Sequence, residues 1–397
     1  MLHDEGSASR PGAPAPASTE GDPPVPSELD WDATELGPFE DWHPVLRTAF
    51  QLCLDSSLPM SLTWGEDMVH LYNDAYLPIV GSKHPESFGR PIQENWPEVW
   101  AEVGPLFDRV RDTGEGHSVK EIQLVLNRHG FLEEAYLSFD LSPIRDGEGP
   151  TLGTFNPCQD VTATVLQQRR QQTVHDLSST STEDGPDELA PELMQVLADN
   201  ALDIPFAALY LAKDKRNFTL AATSGVQIGD PWFDEVVPKR QAHPWPLLQA
   251  AESPTALIVD NLESLRPALA AGPWPDPPRT AVVSTVQWSK DRSDGVLILG
   301  VSPRLPLDDD YLKYLATVTE QFAARLGAAR TLAAEARRAA TLEVAVRTNR
   351  EIGAAIGILM SRHRITEDQA FALLTRTSQS ENLKLRQVAE RIVKSLS

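Results

Sequence analysis

Cysteine is nearly absent from this chain: 397 residues hold two, Cys53 and Cys158. Two thiols in so long a chain exclude a disulfide framework, and neither has the Cys/His spacing of a structural zinc site. Long apolar runs are missing as well. No stretch of about 18 apolar residues occurs, so a membrane span is not expected. The start, MLHDEGSASRPGAPAPASTEGDPPVP, lacks the basic-then-apolar pattern of a secretory signal. A cytoplasmic protein is the expectation. Phosphate cradles are missing too: Gly147–Gly149 and Gly225–Gly229 read as turns, because neither has the strand–GxGxxG–helix setting. No nucleophile–base constellation stands out, so the chain reads as a non-enzyme.

Positive charge is scarce, but unevenly so. The formal net charge is −22, which opposes contact with phosphate. From Thr331 to Ser397, however, 11 Lys/Arg face 7 Asp/Glu, a local +4. A basic tail on an acidic body is the asymmetry expected of a sensor fused to a polyanion-binding output.

Length and pattern divide the chain into segments. Residues 1–28, rich in Pro, Ala, Ser and Gly, are expected to be disordered. Order is expected from Leu29, where Trp31, Leu36, Phe39 and Trp42 begin an apolar cluster. Residues 29–161 read as a first sensor domain: strands at 61–64 and 68–73, a helical middle through Trp96, Trp100, Phe107 and Val110, then strands at 119–127, 134–144 and 151–160. Residues 162–189 read as a signalling helix and linker. Residues 190–330 form a second mixed unit, with a helix at 191–202, strands at 206–213, 217–225, 255–262, 280–288 and 295–303, and a closing helix at 308–330. That helix shows no stop. Leu315, Val318, Phe322, Leu326, Leu332, Leu342 and Val346 carry an apolar seam onward, which suggests a coiled-coil or dimer helix into residues 331–397.

The last segment reads as three helices. The first ends near 351–363. Thr366-Glu367-Asp368-Gln369 is a capping box for the second, which places Ala370, Leu373, Leu374 and Thr377 on one face. Asn382 can cap a third, striped by Leu385, Val388, Ala389, Ile392 and Val393. Gly353 and Gly357 each cost about 1 kcal/mol relative to Ala inside a helix, so a close approach by another backbone is expected to compensate.

Several words resemble known families. WGEDMVHLYNDAYLPIVGSKHPESFGRPIQENWPEVWAEV (64–103) and LSPIRDGEG (141–149) resemble a bacterial PAS sensor subfamily. WPLLQA (245–250), GPWPDPPRTAVV (272–283) and VLILGVSPRLPLDDDYLKYL (296–315) resemble GAF domains. IGAAIGILMSRHRITEDQAFALLTRTSQSENLKLRQVAERIV (352–393) resembles the ANTAR domain, an RNA-binding antiterminator output, through Ile352, Ala355, Gly357, Leu359, Met360, Ala370, Phe371, Leu374, Ser378, Asn382, Lys384, Leu385, Val388 and Ala389. The implied fold is multidomain: α+β PAS-like and GAF-like sensors, then an all-α three-helix bundle. The implied function is binding of paired hairpins in leader RNA, gated by the sensors, with dimerisation through the long first helix. Many ANTAR members carry Lys where this chain has Ile356. That departure either weakens RNA affinity or buries the position between helices.

Arg376, Ser378, Asn382, Lys384 and Arg386 cluster around the second turn as candidate RNA contacts, with Arg350 and Arg362 extending the patch and Arg347 and Arg364 nearby. Ile352, Ala355, Gly357, Met360, Ala370 and Ala389 read as packing positions. A solvated helix face is the plainer account of the charges. The rival functions are a DNA-binding transcription factor and a dimeric scaffold without nucleic acid.

No cofactor is assigned. Cys158 lies in a late strand, away from the helical middle where flavin-binding PAS domains hold their cysteine. His70, His84, His117 and His129 read as core or surface histidines, with haem ligation as the alternative. Trp64, Trp96 and Trp100 fit either a core or the lining of a small-molecule pocket. A ligand at either sensor and a homodimer are the expected partners besides RNA. His175-Asp176 has no kinase context around it.

Overall fold

The computed structural model describes residues 36–183, 185–212, 216–226, 230, 232–239, 241–265, 272–289 and 293–394. The expected disordered tail 1–28, the start of order at Leu29 and Trp31, and positions 227–229 of the second glycine turn lie outside the described residues. Two compact units divide at Arg169/Arg170. Among the described residues no helix is long and apolar enough to cross a membrane.

The first unit runs α1 (Pro44–Leu54), β1 (Met60–Trp64), β2 (Val69–Tyr72), short α2 (Leu77–Val80) and α3 (Ile92–Asn95), α4 (Trp100–Thr113), β3 (His117–Asn127), β4 (Leu132–Arg145) and β5 (Thr151–Asp160). Its strands make one antiparallel sheet ordered β2-β1-β5-β4-β3. Pro44 opens α1, where its fixed φ fits the first turn, and His43 Nδ1 accepts the Val45 N–H at 3.3 Å. Leu46, Phe50 and Cys53 then recur at helical spacing and are buried. Trp96 is core, while Trp64 and Trp100 pack against it half-buried. Tyr76, Trp96, Phe107 and Asn156 also wall a cavity of about 40 Å³, room for a few water molecules at most.

Polar groups inside this unit are mostly tied down. Asn73 Oδ1 accepts the N–H groups of Met60 and Tyr76, and its amide donates to the carbonyls of Ser56 and Leu58. Buried Arg128 bridges Glu133 at 3.0 Å and Asp160 at 2.5 Å. Asp160 in turn accepts the Thr162 N–H at 2.9 Å, which starts α5 (Thr162–Ser179). Further along that helix Arg169 grips Glu134 through two hydrogen bonds. The histidines do not share a site. His70 is fully buried, with Nδ1 accepting from Asn95 at 3.2 Å, His84 meets the Tyr72 hydroxyl, and His129 meets Glu133. Among the described residues no three metal-binding side chains gather.

The second unit continues with the end of α5, α6 (Pro186–Asp199), β6 (Ala207–Leu211), β7 (Asn217–Ser224), β8 (Val236–Pro238), α7 (Leu247–Glu252), β9 (Leu257–Val259), α8 (Leu262–Leu265), β10 (Ala281–Val286) and β11 (Gly295–Gly300). The sheet order is β8-β7-β6-β11-β10-β9. The strand expected over 255–262 shrinks to Leu257–Val259, with a Ser253–Thr255 hydrogen-bonded turn before it and left-handed Asn261 (φ 57°) leading into α8 after it. The closing helix also differs from the expected 308–330. α9 runs unbroken from Asp309 to His363, with the Asp308 carboxylate accepting the Tyr311 N–H at 2.8 Å. No proline follows Pro306 to stop it. Tyr311, Leu315, Val318, Phe322, Leu326 and Ala329 are buried on one stripe, after which Leu332, Leu342, Val344 and Val346 are exposed.

A buried polar clamp joins the incoming and outgoing helices of this unit. Arg170 on α5 donates twice to Asp203 at 3.2 Å, and its guanidinium lies 4.3 Å over the Tyr311 ring of α9. Asn200, just past α6, donates to Thr173 on α5 and to the Tyr314 hydroxyl on α9.

Candidate nucleic-acid interface

The end of α9, α10 (Glu367–Ser380) and α11 (Leu385–Lys394) enclose a small core. Ala355, Leu359, Ala370, Leu374, Val388 and Ala389 are buried, and Ile352, Ile356 and Met360 pack against them. Ile356 therefore occupies an inter-helix contact, the second of the two outcomes left open for that position. Arg364 takes the left-handed conformation that ends α9. The capping box at the start of α10 is formed: Thr366 Oγ1 accepts the Gln369 N–H at 3.4 Å, and the Gln369 side chain accepts the Thr366 N–H at 3.0 Å.

Gly357, expected as a packing residue, is exposed. Among the described residues, no atom outside the helix's own backbone lies within 4 Å of a Cβ built on Gly353 or Gly357, so the close backbone approach expected there is not seen. Both glycines share a helix face with Leu342 and Val346, at spacings of 4, 7 and 4 residues.

Asn382 does not cap α11. It stands one residue past the C-cap of α10 in the left-handed conformation (φ 53°). The Leu383 N–H reaches the Ser378 carbonyl at 3.0 Å, and the Asn382 N–H reaches that of Gln379 at 3.4 Å. This is a Schellman ending, for which Asn is the usual alternative to Gly. Ser378 reinforces the turn by donating its hydroxyl to the Leu383 carbonyl at 2.6 Å. Two of the candidate contacts thus shape the turn on which the others sit.

The residue preceding α11 is Lys384, whose carbonyl accepts from Gln387 and Val388. The Gln387 side chain accepts the Lys384 N–H at 3.0 Å, half of a capping box. A lysine side chain has no acceptor to return to the first-turn N–H groups, and it sets a cation at the positive end of the helix dipole. Lys384, Arg386 and Arg376 are exposed and form no ion pair among the described residues. The neighbouring Glu381 is neutralised by Arg391. Arg350 and Arg362 do not lie together. Both are exposed on α9, but twelve residues apart, about 18 Å along the axis and roughly 120° around it. Arg347 is paired with Glu351 at 3.1 Å.

Sequence reasoning missed Phe371 as a surface group: it is 48% exposed. Helical spacing carried the signal, since Phe371 falls outside the stripe of 370, 373, 374 and 377. An exposed ring offers a face on which an unstacked base can lie.

Residues 340–393 match the ANTAR domain. No curated protein matches. Solved structures are similar at low identity. The GAF domain of an Acinetobacter phosphoenolpyruvate-protein phosphotransferase is 12% identical with a TM-score of 0.32, covering 42% of this chain and 96% of that one. The GAF domain of the Coxiella burnetii phosphoenolpyruvate-protein phosphotransferase is 14% identical with a TM-score of 0.33, covering 43% and 98%. A free methionine-R-sulfoxide reductase from Neisseria meningitidis, in complex with its substrate, is 18% identical with a TM-score of 0.31, covering 43% and 92%. The ANTAR match begins within α9 and ends in α11, so it takes in the whole three-helix core. Both thiols of this chain lie in the first unit, buried and pushed up to about 12 by burial, so neither is a thiolate at neutral pH.

Proposed function

We propose that the chain is a signal-responsive regulator whose ANTAR segment binds paired hairpins in leader RNA and promotes transcription antitermination. The observation that carries this reading is the turn between α10 and α11. It holds Lys384 and Arg386, which form no ion pair among the described residues, at a helix N-terminus whose N-cap side chain carries no oxygen, inside the segment that matches the ANTAR domain. Such an end attracts phosphate through dipole, free N–H groups and cations together. Phe371 adds a ring for an unstacked loop base. Arg376 adds charge beside the turn, while Ser378 and Asn382 hold its shape.

Upstream, residues 29–161 are the proposed PAS sensor, supported by two strands, helices and three further antiparallel strands in one sheet. Residues 190–330 are the proposed GAF sensor, joined by the 162–189 helix and linker, and 331–397 the output. The Arg170–Asp203 clamp gives a signal a rigid route from α5 to α9 within the second unit. A homodimer is supported by the unpartnered face of Leu342, Val346, Gly353 and Gly357, where two glycines permit close helix approach.

DNA reading fits less well. On α11, Glu390 pairs with Lys394 and Arg391 with Glu381, which leaves few free polar groups for base edges. The functional test is transcription in a purified system across a leader that carries two hairpins and a terminator. Full-length protein should raise read-through, and mutation of either hairpin loop should remove the effect. Unchanged read-through with intact loops would overturn antitermination.

A further inference from the structure

The helix that enters the second unit is held there by polar contacts more than by packing. Within that unit α5 buries only Thr173 and Leu177, so apolar fit gives its position along α9 little definition. Charge and hydrogen bonds define it instead.

Arg170 is the central contact. Its Nε and Nη2 both donate to Asp203 Oδ1 at 3.2 Å, and Asp203 is fully buried. The guanidinium faces two rings, Tyr311 at 4.3 Å and Tyr314 at 5.3 Å. Those rings are stacked, with centroids 6.3 Å apart and planes 27° apart. Residues three apart share one helix face, about 4.5 Å along the axis. The two tyrosines therefore make a continuous aromatic strip on α9 that attracts a cation at either end.

Asp203 selects the end in use. Its carbonyl accepts the Tyr311 hydroxyl, and its carboxylate ties Arg170 to the same side of the strip. The Tyr314 side carries an unused acceptor. The Asn200 amide nitrogen lies 3.1 Å from the Tyr314 hydroxyl and 3.1 Å from Asp203 Oδ2, while Asn200 Oδ1 is buried with no hydrogen-bond partner among the described residues. Such an acceptor costs free energy until a donor reaches it. Arg170 carries five N–H groups and meets the same carboxylate as Asn200, so a donor is close at hand.

We propose that α5 has two seats on α9. In the one seen here Asp203 holds Arg170 over Tyr311. In the second, about one helical turn along, Arg170 lies over Tyr314 and donates to Asn200 Oδ1. The proposal rests on the reading of this unit as a sensor ahead of the RNA-binding output, and it names the contact that holds the sensor's state.

The test is a spin-label distance between α5 and α9 in the full chain, with labels on Gln171→Cys and Ala316→Cys, both exposed positions. Cys53 and Cys158 are buried, and labelled chains are diluted with unlabelled ones, so a single intrachain pair is read. With Asp203 intact one distance should dominate. Asp203→Asn removes the charge at nearly constant shape and should add a second distance, displaced by up to about 5 Å, the rise of one turn. Adding Tyr314→Leu removes the second seat and should abolish that distance. Arg170→Lys keeps the cation but loses the two-nitrogen grip, so it should show the same second distance and serves where Asp203→Asn does not fold. A merely structural Asp203 would lower the urea midpoint and leave one distance. One unchanged distance in the folded Asp203→Asn or Arg170→Lys chain, or a second distance that persists without the Tyr314 ring, overturns the proposal. No RNA is present in these measurements, so hairpin binding is untouched by their failure.

Discussion

Replacing Lys384 with Asp is expected to raise stability and lower RNA affinity in the same molecule. Asp at this position supplies the oxygen that the first turn of α11 lacks and puts a negative charge at the positive end of the helix dipole. Those changes are worth about 1 kcal/mol of added stability. The same substitution turns a phosphate-attracting cation into a repelling anion. Combined with Arg386→Glu, it should weaken binding of a two-hairpin leader RNA by about 100-fold at fixed salt, at roughly tenfold per lost charged contact. The dependence of log K on log salt should become shallower by about 1.5, the share of two phosphate contacts. Opposite signs in the two readouts exclude misfolding as the cause. An RNA affinity that survives the double change would remove the α10–α11 turn from the interface.

Acid should destabilise the first unit through His70. Burial pushes its imidazole down to about 3 from an unfolded value near 6.5. The folded state therefore refuses a proton that the unfolded state binds. Stability from this group is full above pH 6.5, falls as pH drops through the window, and is fully lost below about 3. At one proton per molecule the slope is about 1.4 kcal/mol per pH unit, roughly 3 kcal/mol by pH 4.5. His243 shifts in the same direction in the second unit. Asp160 is held below its usual range by Thr162 and Arg128, against burial, and adds its loss only at lower pH. Urea unfolding at pH 7.5 and 5, followed by hydrogen exchange in β2, separates these. His70→Gln should flatten the β2 response over that window. An unchanged slope in that variant would assign the acid sensitivity elsewhere.

What could be read from the chain alone follows from how local each determinant is. The Thr366–Gln369 capping box was legible because both partners lie within one helical turn and no other arrangement uses that pairing so well. Strand β3 was legible from the alternation of Ile122, Leu124 and Leu126, β4 less strictly from Tyr136, Phe139 and Leu141, and the continuity of α9 from the apolar seam that runs past Leu326 without a stop. Asn382 was misread because asparagine serves both an N-cap and a left-handed helix ending. Only the Leu383-to-Ser378 hydrogen bond decides between them. The separation of Arg350 from Arg362 was readable in principle, since twelve residues are three and a third turns. So was the packing of half-buried Ile356, which shares a face with Ile352 and Leu359. The open surroundings of Gly353 and Gly357 were not readable, because the cost of glycine inside a helix does not say what neighbours it, and among the described residues nothing lies within 4 Å of a Cβ there.

The most direct measurement is a titration of the full-length protein against a two-hairpin leader RNA, each hairpin alone, a scrambled RNA and duplex DNA, all at one salt concentration. The account predicts tight binding to the paired hairpins, weaker binding to either hairpin alone, and only salt-sensitive background binding to the others. Equal binding to all five, or none, would contradict RNA recognition by the α10–α11 turn and leave a dimeric scaffold as the better description.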